Sequence, residues 1–452
     1  MVSIKLFGGA KEIGGNKILL QDKDAKIYFD FGESFNFGED YFYDWLQPRK
    51  ANGLEVYFEF GLIPKIEKLY DEEALKFTDL EYQKPDVDAV FVSHSHSDHI
   101  GHLKFLDGSI PIYLGHGTKR VMDVYNKLYP QFACYGKHNT FSTFKSGDKI
   151  KIKHLTIEPI HVEHSVPGAY GYIIHTSKGP IVYTGDFRLH GPKSSLTKDF
   201  IKKAADCKPY AMFCEGTRME SDSEKNFTEK EVEERAGSII KDSKGLVLVY
   251  FAMTNVDRFM SFYRATVKNK RILVIDTRMA YIIDNLREKI TDLPDVRTDE
   301  NIRVYYKLSK SRTFCEKDYK TFEREFMERR ITYDEISKDK KKYVVHSGFN
   351  KLMELVYLQP KDADFIYSSS EHFLEGENNK DELRVLENWL MHFGIKFHMT
   401  HCSGHVCKKD LIETVKTINP KLLIPIHTHV PEDFKEFHDN VMIVEKGGEY
   451  EI

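Results

Sequence analysis

The segment His94-Ser95-His96-Ser97-Asp98-His99 sets the tightest limit on how this chain can fold. It gathers three imidazoles and a carboxylate within six residues, directly after the apolar run Asp88-Ala89-Val90-Phe91-Val92-Ser93. A strand end fixes the backbone, and the turn after it lets alternate side chains converge on one point. Nitrogen and oxygen donors gathered in this way suit borderline cations such as zinc. One short loop cannot fill two metal shells, so further His and Asp donors are expected at other strand ends. His164 in HVEHSVPG, Asp186 in IVYTGDF and His427 in KLLIPIH each close a β-rich run. Singly, such residues are more often caps or surface groups; their joint recurrence after strands makes them a candidate set.

A length of 452 residues exceeds one ordinary domain. Hydrophobic residues at 41% and charged ones at 30% are values of a globular chain. There is no apolar run of about 18 residues, and the opening MVSIKLFGGAKEIGG lacks a signal-peptide pattern. No membrane association is expected, and the expected compartment is the cytoplasm. Cys134, Cys207, Cys214, Cys315, Cys402 and Cys407 show no CxxC spacing, which excludes a zinc ribbon and gives no disulfide framework. They are expected to be mostly buried thiols. The net charge of −4 argues against a protein that coats duplex DNA through charge alone. Lysines do gather in KSGDKIKIKH and SKDKKKY, where either group could line a phosphate backbone or form a solvated face.

Short β-rich runs separated by Gly and Asp turns (VSIKLFGG, KILLQ, AKIYFDFG, DAVFVSH, IPIYLG, IKIKHLTIEPI, YGYIIHT, PIVYTGDF) fill the first part of the chain. From roughly Glu224 the texture changes to charged helical segments alternating with the strands GLVLVYFA and KRILVID, as a parallel sheet requires. After ADFIYSSS come the amphipathic helix DELRVLENWLMHF, the helix KKDLIETVKTI and the strand KLLIPIH.

The HxHxDH box, the downstream His, the TGD and the late His resemble the metallo-β-lactamase superfamily over nearly the whole chain. That resemblance implies an α/β, four-layer αββα sandwich with an inserted β-CASP α/β domain. The expected division is 1–217 for the first part of the sandwich, 218–384 for the insert and 385–452 for the rest of the sandwich. It further implies two Zn2+ per chain, one held by His94, His96 and His164, the other by Asp98, His99 and His427, with Asp186 between them. Asp30 in YFDFG matches the Asp that braces the metal loop. The same Asp-Phe-Gly occurs in protein kinases, but no kinase Gly-rich loop or HRD segment accompanies it.

Within the superfamily the chain is most similar to the β-CASP nucleic-acid nucleases and to short, archaeal-type ribonuclease J. Glu215 in FCEGTR, Ser403-Gly404-His405 in HCSGH and His427 in PIH match the group's three extra motifs. FAMTNVDR, with Thr254, Asn255 and Arg258, resembles the FASN-plus-arginine stretch, and GGAKEIGGN resembles the family's opening. A His at the third motif is typical of RNA-acting members. The chain departs from the family at His429 in PIHTH, where relatives commonly carry an acid, and in SSSEHF. It also shows none of the extra C-terminal domain of bacterial ribonuclease J, so dimerisation by that route is not expected; a homodimer of another kind stays open.

The resemblance thus implies hydrolysis of single-stranded RNA that leaves a 5′-phosphate on the downstream product, with Asp98 and Asp186 at the metals. His405 is the candidate to protonate the leaving oxygen, because imidazole titrates near neutrality, and Glu215 would orient it. Ser403, Gly404 and Thr254 could cradle a terminal 5′-monophosphate, and the resemblance makes Asn255, Arg258 and His405, with these three, the expected substrate-binding residues. Some of the 25 Tyr and 31 Phe could stack bases. Two other readings remain: a thioesterase or lactonase of the same fold, which leaves the insert and the SGH motif unused, and a non-catalytic RNA-processing subunit, against which the intact ligand set speaks.

Overall fold

A computed structural model describes the chain except residues 36, 44, 131–134, 139–140, 221–226 and 371–379. Cys134, the expected domain start near Glu224 and the last three residues of SSSEHF lie outside the described residues. The chain divides into two compact units, one of Met1–Leu189, Lys193–Lys225 and Gly404–Ile452, the other of His190–Pro192 and Asn226–Ser403.

The first unit holds two mixed sheets. In one, the strands run in the order Glu449–Glu451, Val2–Gly8, Lys17–Asp22, Ala25–Phe29, Ala89–Val92, Ile112–Gly115, Ser142–Phe144. In the other the order is Leu422–Ile426, Ala211–Glu215, Gly179–Tyr183, Tyr170–Thr176, Leu155–His161, Ile150–Ile152. Side-chain alternation explains the layering. In Ala89–Val92 all four residues are buried. Phe91 joins Phe29, Tyr172, Tyr183 and Phe213 in the core shared by the two sheets, whereas Val90 and Val92 face Phe31, Leu54, Leu103 and Met122 on the opposite side. The second sheet likewise turns Val182 and Met212 outward onto Phe200 of helix Ser194–Asp206 and Leu411 and Val415 of helix Lys408–Ile418. Two sheets face to face, each with an outer helical layer, make the αββα sandwich.

The second unit is one wholly parallel seven-stranded sheet, ordered Arg330–Ile331, Ile302–Tyr305, Ile272–Asp276, Tyr343–His346, Val247–Tyr250, Asp364–Tyr367, Lys396–Met399. Its central strands, Ile272–Asp276, Tyr343–His346, Val247–Tyr250 and Asp364–Tyr367, are largely apolar and buried, as cover on both faces demands, whereas the edge strands Arg330–Ile331 and Lys396–Met399 are more polar and exposed. Its helices carry their start signals: Thr228 and Glu231 form a capping box, and Asp276 caps the next-but-one helix through the Met279 amide. The expected return at residue 385 and the observed return at Gly404 differ by helix Lys380–Phe393 and strand Lys396–Met399. That strand adds to Asp364–Tyr367 by parallel pairing and so finishes the second unit's own sheet.

Of the cysteines, Cys214, Cys402 and Cys407 are buried, Cys207 is half-buried, and Cys315 is exposed, against the expectation of burial, in a polar loop. Among the described residues no helix is long and apolar enough to cross a membrane.

Candidate metal centre

The box sits where Ala89–Val92 ends and the short helix Ser97–Ile100 begins. His94, His99 and Asp98 are buried. The backbone beneath them is clasped by two other loops: the Asn16 amide donates to the Asp98 carbonyl, and the Phe31 amide donates to that of His99. Gly32 has no room for a side chain, since a Cβ there would lie 1.7 Å from the Asp98 carbonyl oxygen. The two glycine-bearing segments GGAKEIGGN and DFGES therefore act as floor for the metal loop.

Two groups of donors converge. In the first, His94 Nε2 and His164 Nε2 each lie 3.0 Å from His96 Nδ1. His164 donates from Nδ1 to the Gly404 carbonyl at 2.7 Å, which leaves a lone pair on its Nε2. Burial, reinforced by the neighbouring imidazoles, pushes the pKa of His94 and His164 well down; burial also brings that of His96 to about 4. Three neutral imidazoles aimed at one point are metal ligands in waiting.

In the second group, His427 Nε2 is 3.0 Å and His99 Nε2 3.3 Å from Asp98 Oδ2, and His99 Nε2 is 3.1 Å from Asp186 Oδ2. Burial would raise both carboxyls; His99 and His427 outweigh it and hold them well below the carboxylate range. Asp186 Oδ2 also lies 3.7 Å from both His94 and His427, so this one oxygen stands between the two groups. Asp98 Oδ1 and Asp186 Oδ1 are buried with no hydrogen-bond partner. A buried carboxylate oxygen left so is costly unless a cation takes it. The donor set fits a metal cofactor.

Asp30 stands behind this set. It adopts φ 57°, a left-handed conformation that Asp tolerates better than most residues. From there it accepts from the Ser93 amide (2.7 Å), the Ser93 hydroxyl (2.8 Å) and the Tyr183 hydroxyl (2.5 Å), and meets His99 Nδ1 at 2.8 Å. The contact to Nδ1 directs Nε2 of His99 toward Asp98 and Asp186. Asp30→Ala is expected to weaken metal affinity about 10- to 100-fold, the usual consequence of losing a partner behind a ligating His. Competition with a chromophoric chelator measures it, and unchanged affinity would remove Asp30 from this role.

His405 Nδ1 lies 3.0 Å from Glu215 Oε2 and 3.9 Å from Asp186 Oδ2. Burial disfavours its charge, yet Glu215, helped by Asp186 and Asp98, raises its pKa to about 9. Glu215 is itself fixed by the Phe187 amide at 2.9 Å and the Thr217 hydroxyl at 2.8 Å, and that hydroxyl is also 2.8 Å from His427 Nδ1. His427, at φ 53°, is held in the left-handed region by a bond from its amide to the Gly9 carbonyl. Ser93, Tyr183 and Thr217 were not anticipated as part of the site. Ser93 and Thr217 had a signal in their places, one just before the box and the other inside FCEGTR; Tyr183 acts only through the meeting of distant strands.

The residues expected to contact substrate fare differently. Gly404 belongs beside His164: a Cβ there would come within 3.0 Å of the imidazole and 2.8 Å of Ser165 Oγ. In the second unit, Thr254 is half-buried, and Ser403 accepts on its carbonyl from His190 Nε2 at 2.7 Å. Asn255 has a task in the fold, and Arg258 requires correction. The Asn255 side chain caps helix Val256–Lys268 by accepting from the Arg258 amide. The Arg258 guanidinium is wholly buried and bound to Glu229, the Ser368 carbonyl and hydroxyl, and the Cys402 carbonyl. A charge so enclosed holds the chain before the SGH motif rather than substrate. Arg258→Met removes the cation that balances the buried Glu229 carboxylate, which keeps the Ser261 hydroxyl and the Cys402 thiol as neutral partners, and is expected to destabilise the second unit by about 3–5 kcal/mol. Urea unfolding reads this, and adding Glu229→Gln should return part of the loss.

Comparison with known proteins adds the following. Residues 72–207 match the family model described as a beta-lactamase superfamily domain. A Ribonuclease J of Mycoplasma pneumoniae is 24% identical over 429 residues, covering 93% of this chain and 67% of that protein. The Ribonuclease J of Methanocaldococcus jannaschii is 23% identical over 452 residues, covering 94% of this chain and 91% of its own length. Among solved structures, a protein of unknown function from Enterococcus faecalis superimposes with a TM-score of 0.76 at 25% identity, covering 99% of both chains.

Proposed function

Because the chain belongs to the ribonuclease J family of β-CASP nucleases with the metallo-β-lactamase fold, we propose that it is a two-zinc ribonuclease that shortens single-stranded RNA from a 5′-monophosphate end and can also cut internally. The observation that carries this reading is Asp186 Oδ2, within 4 Å of His94 on one side and of His99 and His427 on the other. One donor set, His94, His96 and His164, and a second, Asp98, His99 and His427, would each hold a cation, with Asp186 shared. Two bound divalent cations supply Lewis acidity, making hydroxide accessible near neutral pH and screening the phosphodiester charge.

The remaining work falls to the chain's own groups. Glu215 takes His405 Nδ1, so proton exchange with substrate falls to Nε2. The imidazolium gives that proton to the ribose 3′-oxygen as its bond to phosphorus breaks. Water adds to phosphorus, so the products are a 3′-hydroxyl and a 5′-phosphate. Asp30 and Thr217 keep His99 and His427 turned inward through their Nδ1 atoms.

The test is digestion of a 5′-monophosphorylated, 3′-labelled single-stranded RNA by zinc-loaded wild type and Asp98→Ala, beside the 5′-hydroxyl RNA, with metal content measured on each protein. Progressive shortening from the phosphorylated end, lost in the variant, supports the proposal. Inertness toward every RNA with zinc bound, together with hydrolysis of thioesters or lactones, would replace it with a small-molecule hydrolase.

A further inference from the structure

Residues 303–342 of the second unit carry thirteen Lys and Arg against eight Asp and Glu, in a chain whose net charge is −4. Several of those acids are engaged within the fold. Glu323 accepts from Thr277, Glu325 pairs with Arg297 at 2.7 Å, Glu335 accepts from the Thr332 amide and hydroxyl, and Asp318 accepts from the Ser311 amide. The basic side chains of the stretch make no ion pair among the described residues. Arg329 and Arg330 donate instead to the carbonyls of Ile302 and Phe314. Cations held by neutral carbonyls keep their full charge for an outside anion.

Aromatic rings run through the same surface. Phe314 lies 6.4 Å from Tyr333, Tyr333 lies 5.2 Å from Tyr357, and the Arg330 guanidinium sits 5.8 Å over Phe314. Tyr357 is 45% exposed, too open for a core residue of its size. Phe314 adopts φ 55°, uncommon for a bulky side chain, in the loop that presents the exposed Lys310, Arg312 and Lys317. Phe314 and Tyr333 are half-buried, Tyr333 resting on the core of the unit, so the series shows one open ring and two part-open ones. Cations interleaved with such rings match the backbone and bases of an unpaired strand: phosphates meet Lys and Arg, and bases stack on rings whatever their sequence. An acidic protein partner would use the charges but leave the ring series without purpose.

We propose that this edge of the second unit is a docking surface for single-stranded RNA, with phosphates on the cations of loop 307–320 and bases stacked on Phe314, Tyr333 and Tyr357. The proposal rests on the ribonuclease reading and adds a surface that the metal centre does not contain.

The test measures binding of the zinc-loaded chain to a fluorescent, phosphorothioate-linked and hence slowly cut single-stranded RNA across a salt series. The triple variant K310E/R312E/K317E should bind at least about tenfold more weakly, with a log–log salt slope shallower by about 2, because each phosphate contact on a single strand contributes about 0.7. Tyr357→Ala should lose about tenfold with its slope unchanged, since stacking is not ionic; blunt double-stranded RNA should not sense that change. Variants that bind like wild type, while wild type binds and cuts RNA, would overturn the surface and leave the ribonuclease reading standing. The surface would also be overturned if the triple variant altered only sedimentation, which would make it a contact between copies of the chain. A wild type that binds no RNA sinks both.

Discussion

Asp186→Ala is expected to abolish RNA hydrolysis, with kcat down by on the order of 10³-fold or more, in a chain that still folds. The size follows from what one oxygen does. Asp186 Oδ2 lies 3.1 Å from His99 Nε2 and 3.7 Å from His94 and His427 Nε2, so its loss withdraws a ligand from both donor groups together. A metal centre contributes several kcal/mol of charge stabilisation in the transition state, and each 1.36 kcal/mol is about tenfold in rate. Folding should survive, because the carboxylate lies at the strand-end loop and packs no apolar core, while Phe187 beside it stays buried. Single-turnover cleavage with zinc stoichiometry on the same sample decides the matter. Activity within tenfold of wild type at full metal content would remove Asp186 from the shared position. Asp186→Asn, which keeps shape and one acceptor but loses the charge, should fall between the two.

The box was legible because its information is local: a continuous run of apolar residues sets the strand, and six consecutive residues carry the donors. His164, Asp186 and His427 were legible through a repeated pattern, each at a strand's end. Asp30 was legible by resemblance, but its means of action was not. The left-handed turn that brings it to Ser93, Tyr183 and His99 depends on a parallel pairing of Ala25–Phe29 with Ala89–Val92 across about 60 residues of chain. Arg258 shows the opposite failure. An arginine in a motif shared with relatives reads as a substrate ligand, because nothing in a one-dimensional pattern tells that Glu229, Ser368 and Cys402 will close around it. Burial of a charge is decided by tertiary partners, which is also why the chain's return to the first unit could not be set at Gly404 in advance. Helix Lys380–Phe393 and strand Lys396–Met399 read alike in either unit until the pairing with Asp364–Tyr367 is seen.

His405→Ala is expected to lower kcat by about 10²- to 10⁴-fold, the range of a positioned proton donor, with zinc content unchanged. The neighbours of the ring say how the donor is kept charged. Glu215 lies 3.0 Å from Nδ1, and its carboxylate, aided by Asp186 and Asp98, outweighs the burial of the imidazole and lifts its pKa to about 9. An acid acts while protonated, so His405 serves below its pKa and fails above it. Glu215→Gln removes the charge that opposes burial, and bound cations push in the same direction; the alkaline limb of the kcat profile should therefore move to lower pH in that variant. His405→Ala should instead flatten this limb and leave a slow, metal-dependent rate. A purely structural His405 would alter stability or KM and leave the limb in place. RNA with a 3′-bridging sulfur, whose leaving group needs no proton, separates the roles further: it should be cut by His405→Ala nearly as fast as by wild type if the imidazole is the acid, and as poorly as ordinary RNA if the ring only holds Glu215 and the phosphate in position.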